Sequence, residues 1–230
     1  MKALQKAVLK HKADIGLAFD GDADRCFLVD EKGEIVNPSD LTSLIASREL
    51  AKHPGASIIY NLISSRAVNE VVEELGGKAI RSRVGHSYIK ALMAETGAVF
   101  GGEHSGHFYF KDFWCADSGM LAALHAIAAL GESASPLSKI LKPYQRYFAS
   151  GEINSKVNDP ASILAALEEK FGGKDEATID HLDGLTIIAP TWWFNVRSSN
   201  TEPLLRLNVE AKTQAKLTRL QEDVLALIRG

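Results

Sequence analysis

Three aspartates at alternating positions form the first segment of this 230-residue sequence that could carry chemistry. Asp20, Asp22 and Asp24 are separated by Gly21 and Ala23, small residues that leave the backbone room to curl. Carboxylate oxygens are ligands for hard cations, and three of them in a tight loop would repel one another without a cation between them. The spacing therefore predicts a site for one hard cation.

Other interpretations of this acidic loop stay open. In a calcium EF-hand the three aspartates would fill positions one, three and five and Glu31 position twelve, but Arg25 stands where the turn requires glycine. The spacing is also typical of phosphatases that use an aspartyl nucleophile, with Asp20 in that role, although these normally carry Thr or Val where Asp24 stands. A solvated acidic turn is the simplest alternative.

A glycine-rich segment at residues 101–107 (GGEHSGH) is the second candidate. Its glycines thin the chain so that a ligand could approach the backbone. Glu103, Ser105 and His107 alternate, so in an extended segment their side chains would project to one side. A carboxylate, a hydroxyl and an imidazole together suit a polyhydroxylated ligand, whereas the alternative is a glycine-rich surface hairpin.

The third candidate is the segment 197–203 (RSSNTEP), with Arg206 just beyond it. Hydroxyls, an amide, backbone N–H groups and the two arginines Arg197 and Arg206 would form an oxyanion cradle, and arginine favours bidentate contact with phosphate. A capped turn between strands is the alternative. The three segments together indicate a metal, a sugar-like group and a phosphate, a combination that suggests a phosphosugar ligand.

These segments lie between predicted strands and helices. Hydrophobic periodicity and capping residues predict helices, the second of them capped by Ser39, at about 1–10, 39–52, 65–75, 86–96, 116–130, 160–171 and 213–229. Strands are predicted at about 14–19, 26–30, 57–62, 78–83, 98–103, 107–110, 154–157, 177–180, 185–189, 192–197 and 204–211. The helix at 116–130 carries Met120, Leu121, Leu124 and Ile127 as its apolar residues.

Composition excludes several classes of protein. Hydrophobic residues make up 46% and charged residues 24%, which is typical of a globular chain rather than a disordered one. The net charge of −3 predicts no broad attraction to nucleic acid or membrane, and no apolar run reaches membrane-spanning length. Lysines interrupt the first ten residues, unlike a signal peptide. Cys26 and Cys115 lie in apolar runs, which suits a reducing cytoplasm.

The three motifs, in this order, resemble the α-D-phosphohexomutases, specifically the phosphomannomutase/phosphoglucomutase branch, over essentially the whole chain. The resemblance implies an α/β fold: a mixed-sheet α/β domain followed by a small α+β carboxyl-terminal domain. In that family the D-G-D-x-D-R loop binds Mg²⁺, which implies Asp20, Asp22 and Asp24 as the ligands. The resemblance places Arg25 near a phosphoserine.

The resemblance also implies a set of substrate-binding residues. The G-E-x-S-G-H loop contacts sugar hydroxyls, and a G-H-S-Y-I-K run faces the substrate, which implies Glu103, Ser105, His107, His86 and Lys90. The R-x-S-N-T-x-P loop holds the non-reacting phosphate, which implies Arg197, Ser199, Asn200 and Thr201, with Arg206 beside them. His107 is in addition a candidate general acid or base.

The activity implied is reversible transfer of a phosphoryl group between O1 and O6 of a mannose or glucose phosphate, through a phosphoserine and a bisphosphosugar. The sequence departs from the family pattern twice. It contains no Ser-His-Asn-Pro run to supply the phosphoserine, so we expect the chain to be inactive alone. Ile63 stands where a basic residue facing the substrate is expected. A non-catalytic sugar-phosphate-binding protein is therefore an alternative.

The expected domain organisation follows from the motifs and from a Gly-, Ser- and Pro-rich stretch at 131–143. Residues 1–36 would be the end of a preceding α/β domain that carries the metal loop, 37–145 an α/β sugar-binding domain and 146–230 an α+β phosphate-binding domain. Apolar surface on the first segment would then lack its neighbours. We expect this surface to be covered by a second chain or to be poorly ordered, and self-association through this segment is one such possibility.

Overall fold

The computed structural model of the chain describes residues 1–199 and 204–230. These form two compact units, Met1–Gln145 (unit 1) and Arg146–Gly230 (unit 2). Residues 1–36 pack within unit 1 together with residues 37–145. Among the described residues, no helix has the length and apolar character needed to cross a membrane.

Unit 1 is built from helices and two sheets. Its helices are α1 (Lys2–His11), α2 (Pro38–Lys52), α3 (Arg66–Glu74), α4 (His86–Thr96), α5 (Gly119–Gly131) and α6 (Leu137–Ile140). Its strands are β1 (Ile15–Phe19), β2 (Cys26–Asp30), β3 (Ser57–Asn61), β4 (Lys78–Ser82), β5 (Phe100–Gly102), β6 (Phe108–Phe110) and β7 (Ala116–Asp117). Short 3₁₀ turns cover Lys111–Phe113 and Lys142–Tyr144.

Strands β1 and β2 form an antiparallel hairpin that holds the acidic loop at its tip. Their register runs from Ile15 opposite Asp30 to Phe19 opposite Cys26, so the two ends of the loop are fixed side by side. Helix α1 covers one face of the hairpin, where a Cβ on Gly16 would lie 2.6 Å from Val8. The loop therefore starts from a rigid base.

The larger sheet of unit 1 has the strand order β4-β3-β5-β6-β7. Strand β3 is parallel to β4 and β5, whereas β6 and β7 are antiparallel additions. Parallel strands end at the same edge of a sheet, so the segments that follow β3, β4 and β5 lie near one another. The mixed α/β architecture expected from the sequence is confirmed.

The expected cap of the second helix is wrong. Asn37, not Ser39, caps α2, because its side chain accepts a hydrogen bond from the backbone N–H of Ser39. Ser39 is buried, and its hydroxyl instead accepts a hydrogen bond from the backbone N–H of Ser65. In α5 the core-facing residues are alanines, whereas Met120, Leu124 and Ile127 are 54%, 55% and 43% exposed.

Unit 2 is a five-stranded antiparallel sheet with the order β8-β12-β11-β10-β9. Its strands are β8 (Phe148–Lys156), β9 (Thr178–Asp180), β10 (Leu185–Ala189), β11 (Trp192–Ser198) and β12 (Leu204–Ala211). Helices α7 (Pro160–Phe171) and α8 (Gln214–Arg229) pack against one face, around Phe194, Leu207 and Val224. Alternation along the strands places Arg197 and Arg206 on the other face.

Several predicted boundaries agree with the structure and others do not. The helix at 86–96 and the strands at 26–30, 185–189 and 204–211 have the predicted bounds. Strand β8 starts at Phe148, six residues before the predicted strand at 154–157. Helix α5 starts at Gly119 rather than near 116, because Ala116–Asp117 form β7 and Ser118 is the N-cap.

Candidate active site

The acidic loop at the tip of the β1–β2 hairpin brings its three carboxylates together. One oxygen from each of Asp20, Asp22 and Asp24 lies within 4.8 Å of the others. Oδ1 of Asp24 is buried and accepts no hydrogen bond from the described residues. A set of carboxylate oxygens with one buried atom unsatisfied fits a hard divalent cation such as Mg²⁺.

Arg25 is the positive charge within this loop. Its Nε donates to Oδ2 of Asp20 at 2.5 Å, and its backbone N–H donates to Oδ1 of the same residue at 3.1 Å. Burial opposes ionisation of Asp20, but the hydrogen bonds from Arg25 outweigh it and lower the pKa of Asp20 to about 2. Burial raises the pKa of Asp24, and the neighbouring Asp20 adds to that rise. A bound cation would remove this repulsion.

The structure excludes the EF-hand interpretation. The loop is flanked by strands rather than helices. Glu31, which would be the twelfth ligand, instead accepts hydrogen bonds from the backbone N–H and the hydroxyl of Ser138, at 3.1 Å and 2.5 Å.

The start of α5 fixes the shape of the acidic loop. The backbone N–H of Gly119 donates to the carbonyl of Ala23 at 3.1 Å. A Cβ on Gly119 would lie 2.6 Å from the carbonyl oxygen of Arg25 and 2.9 Å from that of Ala23. Ala23 itself adopts a left-handed conformation, with φ of 60°. The backbone at the start of α5 therefore packs directly against the acidic loop and fixes its shape. Only glycine is small enough at position 119 to allow this contact.

Backbone hydrogen bonding joins the glycine-rich segment to the acidic loop. The N–H of Cys26 donates to the carbonyl of Gly106 at 3.0 Å, and Arg25 and His107 form an isolated antiparallel bridge. Gly106 has φ of 92°, and a Cβ there would meet the ring of Phe27 at 2.9 Å. The predicted metal and sugar segments are therefore one continuous structure in unit 1.

His107 lies at the junction of these two segments. Its Nδ1 lies 3.0 Å from the hydroxyl of Ser105, and its Nε2 lies 3.5 Å from Oδ2 of Asp24. Asp117, which the sequence analysis missed, lies 3.9 Å from the same Nε2. Lys90 pairs with Asp117 at 2.8 Å. Burial opposes ionisation of Asp117, but the hydrogen bond from Lys90 outweighs it and lowers the pKa of Asp117.

Glu103 is buried at the centre of a hydrogen-bond network. It is 2% exposed, and its Oε2 accepts from the hydroxyl of Tyr109 at 2.8 Å. Its Oε1 accepts from the backbone N–H of Gly85 at 3.1 Å and lies 3.5 Å from Nδ2 of Asn61. Burial and the Glu103 carboxylate raise the pKa of Tyr109, which keeps its hydroxyl protonated as a donor. Asn61 and Tyr109 were also missed.

Glu103 links the G-H-S-Y-I-K run to the glycine-rich segment through Gly85. His86 is exposed at the first residue of α4, one residue after this contact. Lys90 lies one turn further along α4, with its ammonium 5.8 Å from the centre of the Tyr109 ring. Ile63, at the position where a basic residue was expected, is buried with 7% exposure.

The predicted phosphate residues lie in unit 2. Arg197 and Arg206 are direct cross-strand partners on β11 and β12. Nη2 of Arg206 donates to the hydroxyl of Ser199 at 3.4 Å. Glu152 on β8, which the sequence analysis missed, contacts both arginines. The predicted residues Asn200 and Thr201 lie outside the described residues.

Comparison with known proteins gives the same picture over the whole chain. Sequence profiles of the phosphoglucomutase/phosphomannomutase family match residues 1–33 (α/β/α domain II), 37–147 (α/β/α domain III) and 152–227 (the C-terminal domain). The chain belongs to the phosphoglucomutase/phosphomannomutase family. The family resemblance predicted from the three motifs is confirmed.

Individual relatives agree with this assignment. A phosphomannomutase of Methanocaldococcus jannaschii is 42% identical over 228 residues, which are 99% of this chain and 50% of that protein. The crystal structure of a phosphoglucomutase/phosphomannomutase family protein from Burkholderia thailandensis matches 99% of this chain and 50% of its own, with a TM-score of 0.86 and 35% identity. The chain thus spans about half the length of the relatives it matches.

A more distant structure shares the fold. N-acetylphosphoglucosamine mutase of Aspergillus fumigatus, in complex with GlcNAc-6P and magnesium, covers 93% of this chain and 52% of its own. Its TM-score is 0.69 at 14% identity, so the likeness shows the fold alone.

Proposed function

We propose that this chain supplies the metal, sugar and phosphate contacts of a phosphohexomutase that moves a phosphoryl group between O1 and O6 of mannose or glucose phosphate. The observation that carries the proposal is the junction of two predicted motifs at His107, whose Nε2 lies 3.5 Å from Asp24 of the acidic loop. The phosphomannomutase relatives support the choice of substrate class.

Asp20, Asp22 and Asp24 would hold Mg²⁺, which when bound would neutralise negative charge that develops during phosphoryl transfer. The three carboxylate oxygens within 4.8 Å of one another support this choice of ion, because hard divalent cations prefer oxygen ligands. Arg25, held against Asp20, would add a positive charge beside the transferred phosphoryl group. With three carboxylates and no phosphoserine oxygen, we expect Mg²⁺ to bind this chain weakly.

His107 would take a proton from the attacking hydroxyl and return one to the leaving oxygen. Its two nitrogens are oriented by Ser105 on one side and by Asp24 and Asp117 on the other. A fixed imidazole beside the metal loop is the arrangement that general acid–base catalysis requires. Lys90, paired with Asp117, would add a positive charge near the same position.

The sugar hydroxyls would meet Ser105, His86 and Lys90, which are exposed or half-buried, and the carboxylate of Glu103. Contact with Glu103 would replace its longest hydrogen bond, the 3.5 Å contact from Asn61, and leave those from Tyr109 and Gly85 intact. Glu103 would then both position the loop and accept from the sugar.

The phosphate that does not react would bind in unit 2, to Arg197, Ser199, Asn200, Thr201 and Arg206. The cross-strand arginine pair supports this assignment, because two guanidinium groups side by side suit a phosphate dianion. The division into 1–36, 37–145 and 146–230 follows these three roles.

The phosphoserine would come from an additional segment that carries a Ser-His-Asn-Pro loop, since the sequence has no such run. Within the described residues β1 pairs only with β2, and Leu9, Ile35, Met120 and Leu124 are exposed. These features support docking of a further segment, or self-association, on this part of unit 1. The free cysteines and ordinary charge favour a cytoplasmic protein without nucleic-acid or membrane partners.

A coupled assay that converts mannose 1-phosphate or glucose 1-phosphate to the 6-phosphate tests the proposal. The chain alone should give no turnover, and turnover should appear when the amino-terminal half of the Methanocaldococcus jannaschii relative is supplied. Turnover by the chain alone would disprove its dependence on a second segment. Binding of sugar phosphates without turnover in either case would favour the binding-protein alternative.

Measurement of inorganic phosphate in the same reactions tests the phosphatase alternative. Release of inorganic phosphate that is lost in Asp20→Asn would favour Asp20 as a nucleophile. We expect no such release, because Asp24 stands where these phosphatases normally carry Thr or Val.

A further inference from the structure

Two arginines of like charge lie directly opposite each other in the unit 2 sheet. Arg197 on β11 and Arg206 on β12 are cross-strand partners, an arrangement that destabilises a sheet when nothing balances it. Glu152 on the adjacent strand β8 balances both. Its Oε2 lies 3.0 Å from Nη2 of Arg197, and its Oε1 lies 3.3 Å from Nη1 of Arg206. Each carboxylate oxygen therefore serves a different arginine.

The arginines keep donors beyond those that Glu152 uses. The Nε atoms of Arg197 and Arg206 are buried and have no hydrogen-bond partner among residues 1–199 and 204–230. The side chain of Glu152 is 28% exposed, so water reaches its carboxylate. The side chain of Arg197 is only 11% exposed. The side chain of Arg206 is 30% exposed, so a second oxyanion can approach the pair from the side of Arg206.

We propose that Glu152 is a built-in counter-ion of the arginine pair, which weakens the binding of a phosphate dianion there and speeds its release. The inference rests on the proposed function, in which this pair binds a sugar phosphate. Glu152 acts only through the two arginines, so it is a positioning residue. The ligand class is a phosphate monoester or inorganic phosphate.

Glu152 has two opposed effects on phosphate binding, and their balance decides whether it strengthens or weakens that binding. The carboxylate orders the guanidinium groups, which favours phosphate binding, and it repels the dianion, which opposes it. Arg197 is already held by its surroundings, so the ordering effect is small. At a separation of about 6 Å in water, the removal of one negative charge strengthens the binding of a dianion by roughly tenfold. The repulsion therefore dominates.

This balance suits an enzyme whose ligand must turn around. A bisphosphosugar that presents first one end and then the other has to leave the arginine pair between the two steps. Tight binding in every state would slow that exchange without accelerating the chemical step. A carboxylate that returns to the arginines as the phosphate leaves would make the release faster.

The test is NMR titration of inorganic phosphate, and separately of mannose 6-phosphate, into the full 230-residue chain. Glu152→Gln should bind phosphate about three- to tenfold more tightly than the unmodified chain. Glu152→Asp, which keeps the charge, should restore the original affinity. Glu169→Gln, on α7, is the matched control and should change nothing.

Each outcome is decisive. Equal or weaker phosphate binding by Glu152→Gln would overturn the inference, because a purely structural role predicts a loss. Failure of the unmodified chain to bind either phosphate would instead contradict the proposed function. Should Glu152→Gln fold poorly, ¹³C-carboxyl labelling of glutamate in the unmodified chain gives a second readout. The Glu152 resonance should shift as phosphate binds, and a resonance that does not move would also overturn the inference.

Discussion

The candidate residues of unit 1 and those of unit 2 are held in place by different physical means. In unit 1, backbone bridges, close glycine contacts and a buried carboxylate fix the acidic loop to the glycine-rich segment. In unit 2, Arg197 and Arg206 project from adjacent strands and are balanced by the charge of Glu152. The first region should therefore be sensitive to shape and hydrogen bonding, and the second to charge and salt.

The largest expected effect is at Gly119, where α5 meets the acidic loop. In Gly119→Ala the new Cβ would lie 2.6 Å from the carbonyl of Arg25, so the loop must move. We expect a loss of about 2–3 kcal/mol in the free energy of unfolding. We also expect the acidic loop to lose binding of Mn²⁺, used as a paramagnetic substitute for Mg²⁺. Urea denaturation and electron paramagnetic resonance would measure the two effects.

Gly131→Ala, at the other end of α5, is the matched control. A Cβ there meets nothing within 4 Å, so the substitution should be neutral or slightly stabilising. Equal effects at the two positions would mean that close backbone contact does not shape the loop.

The next effect is at the buried Glu103. Tyr109→Phe removes the 2.8 Å hydrogen bond to Oε2 and leaves a buried carboxylate oxygen without that donor, at a cost of about 1–3 kcal/mol. Thermal and urea unfolding measure the cost. Tyr60→Phe is the control, because that buried hydroxyl makes only a 3.4 Å contact with Asn69. If both substitutions cost the same, the network around Glu103 has no special role.

The stability of unit 1 should also depend on pH, through His125. Burial lowers the pKa of His125 from its ordinary 6.5, although Glu49 nearby opposes this. The unfolded chain takes up a proton on this histidine near pH 6.5 while the folded chain resists it, so stability should fall as the pH drops below that value. Urea unfolding at pH 7.5 and 5.5 measures the fall.

His125→Gln should reduce this dependence on pH, whereas His181→Gln, at an exposed position in unit 2, should leave it unchanged. A pH dependence identical in all three proteins would mean that His125 is not its source.

The smallest expected effect is on the stability of unit 2. Arg206→Gln removes a partly exposed ion pair with Glu152, which should change the free energy of unfolding by less than about 1 kcal/mol. Phosphate binding should weaken in the same variant and should become less dependent on salt. Arg219→Gln, on α8, is the control for the change of charge. A stability loss above 2–3 kcal/mol would show that shape, not charge, governs this region as well.

Much of the fold could be predicted because the periodic pattern matched the buried face. Strand β12 alternates buried apolar residues with polar ones, and α4 ends at Gly97 in a left-handed conformation, so both had clear limits. Helix α5 is apolar on all sides, so periodicity could not tell its buried alanines from the exposed Met120 and Leu124. The start of β8 has no apolar alternation, and pairing with β12 defines it.

The site was predicted where the motif itself carries the contact. Asp20, Asp22 and Asp24 are neighbours in the sequence and in space. Asp117 and Tyr109 were missed because tertiary packing brings them to His107 and Glu103. The pattern that could have indicated Asp117 is its place directly before Ser118, the cap of α5.

Calorimetric titration of mannose 6-phosphate into the 230-residue chain, with Mg²⁺ present, tests the central claim most directly. The claim is that this chain carries both the sugar and the phosphate contacts of a phosphohexomutase. It predicts measurable binding that weakens in His107→Ala and in Arg197→Ala and is unchanged in Arg219→Gln. Absence of binding, or binding that neither His107→Ala nor Arg197→Ala affects, would contradict it.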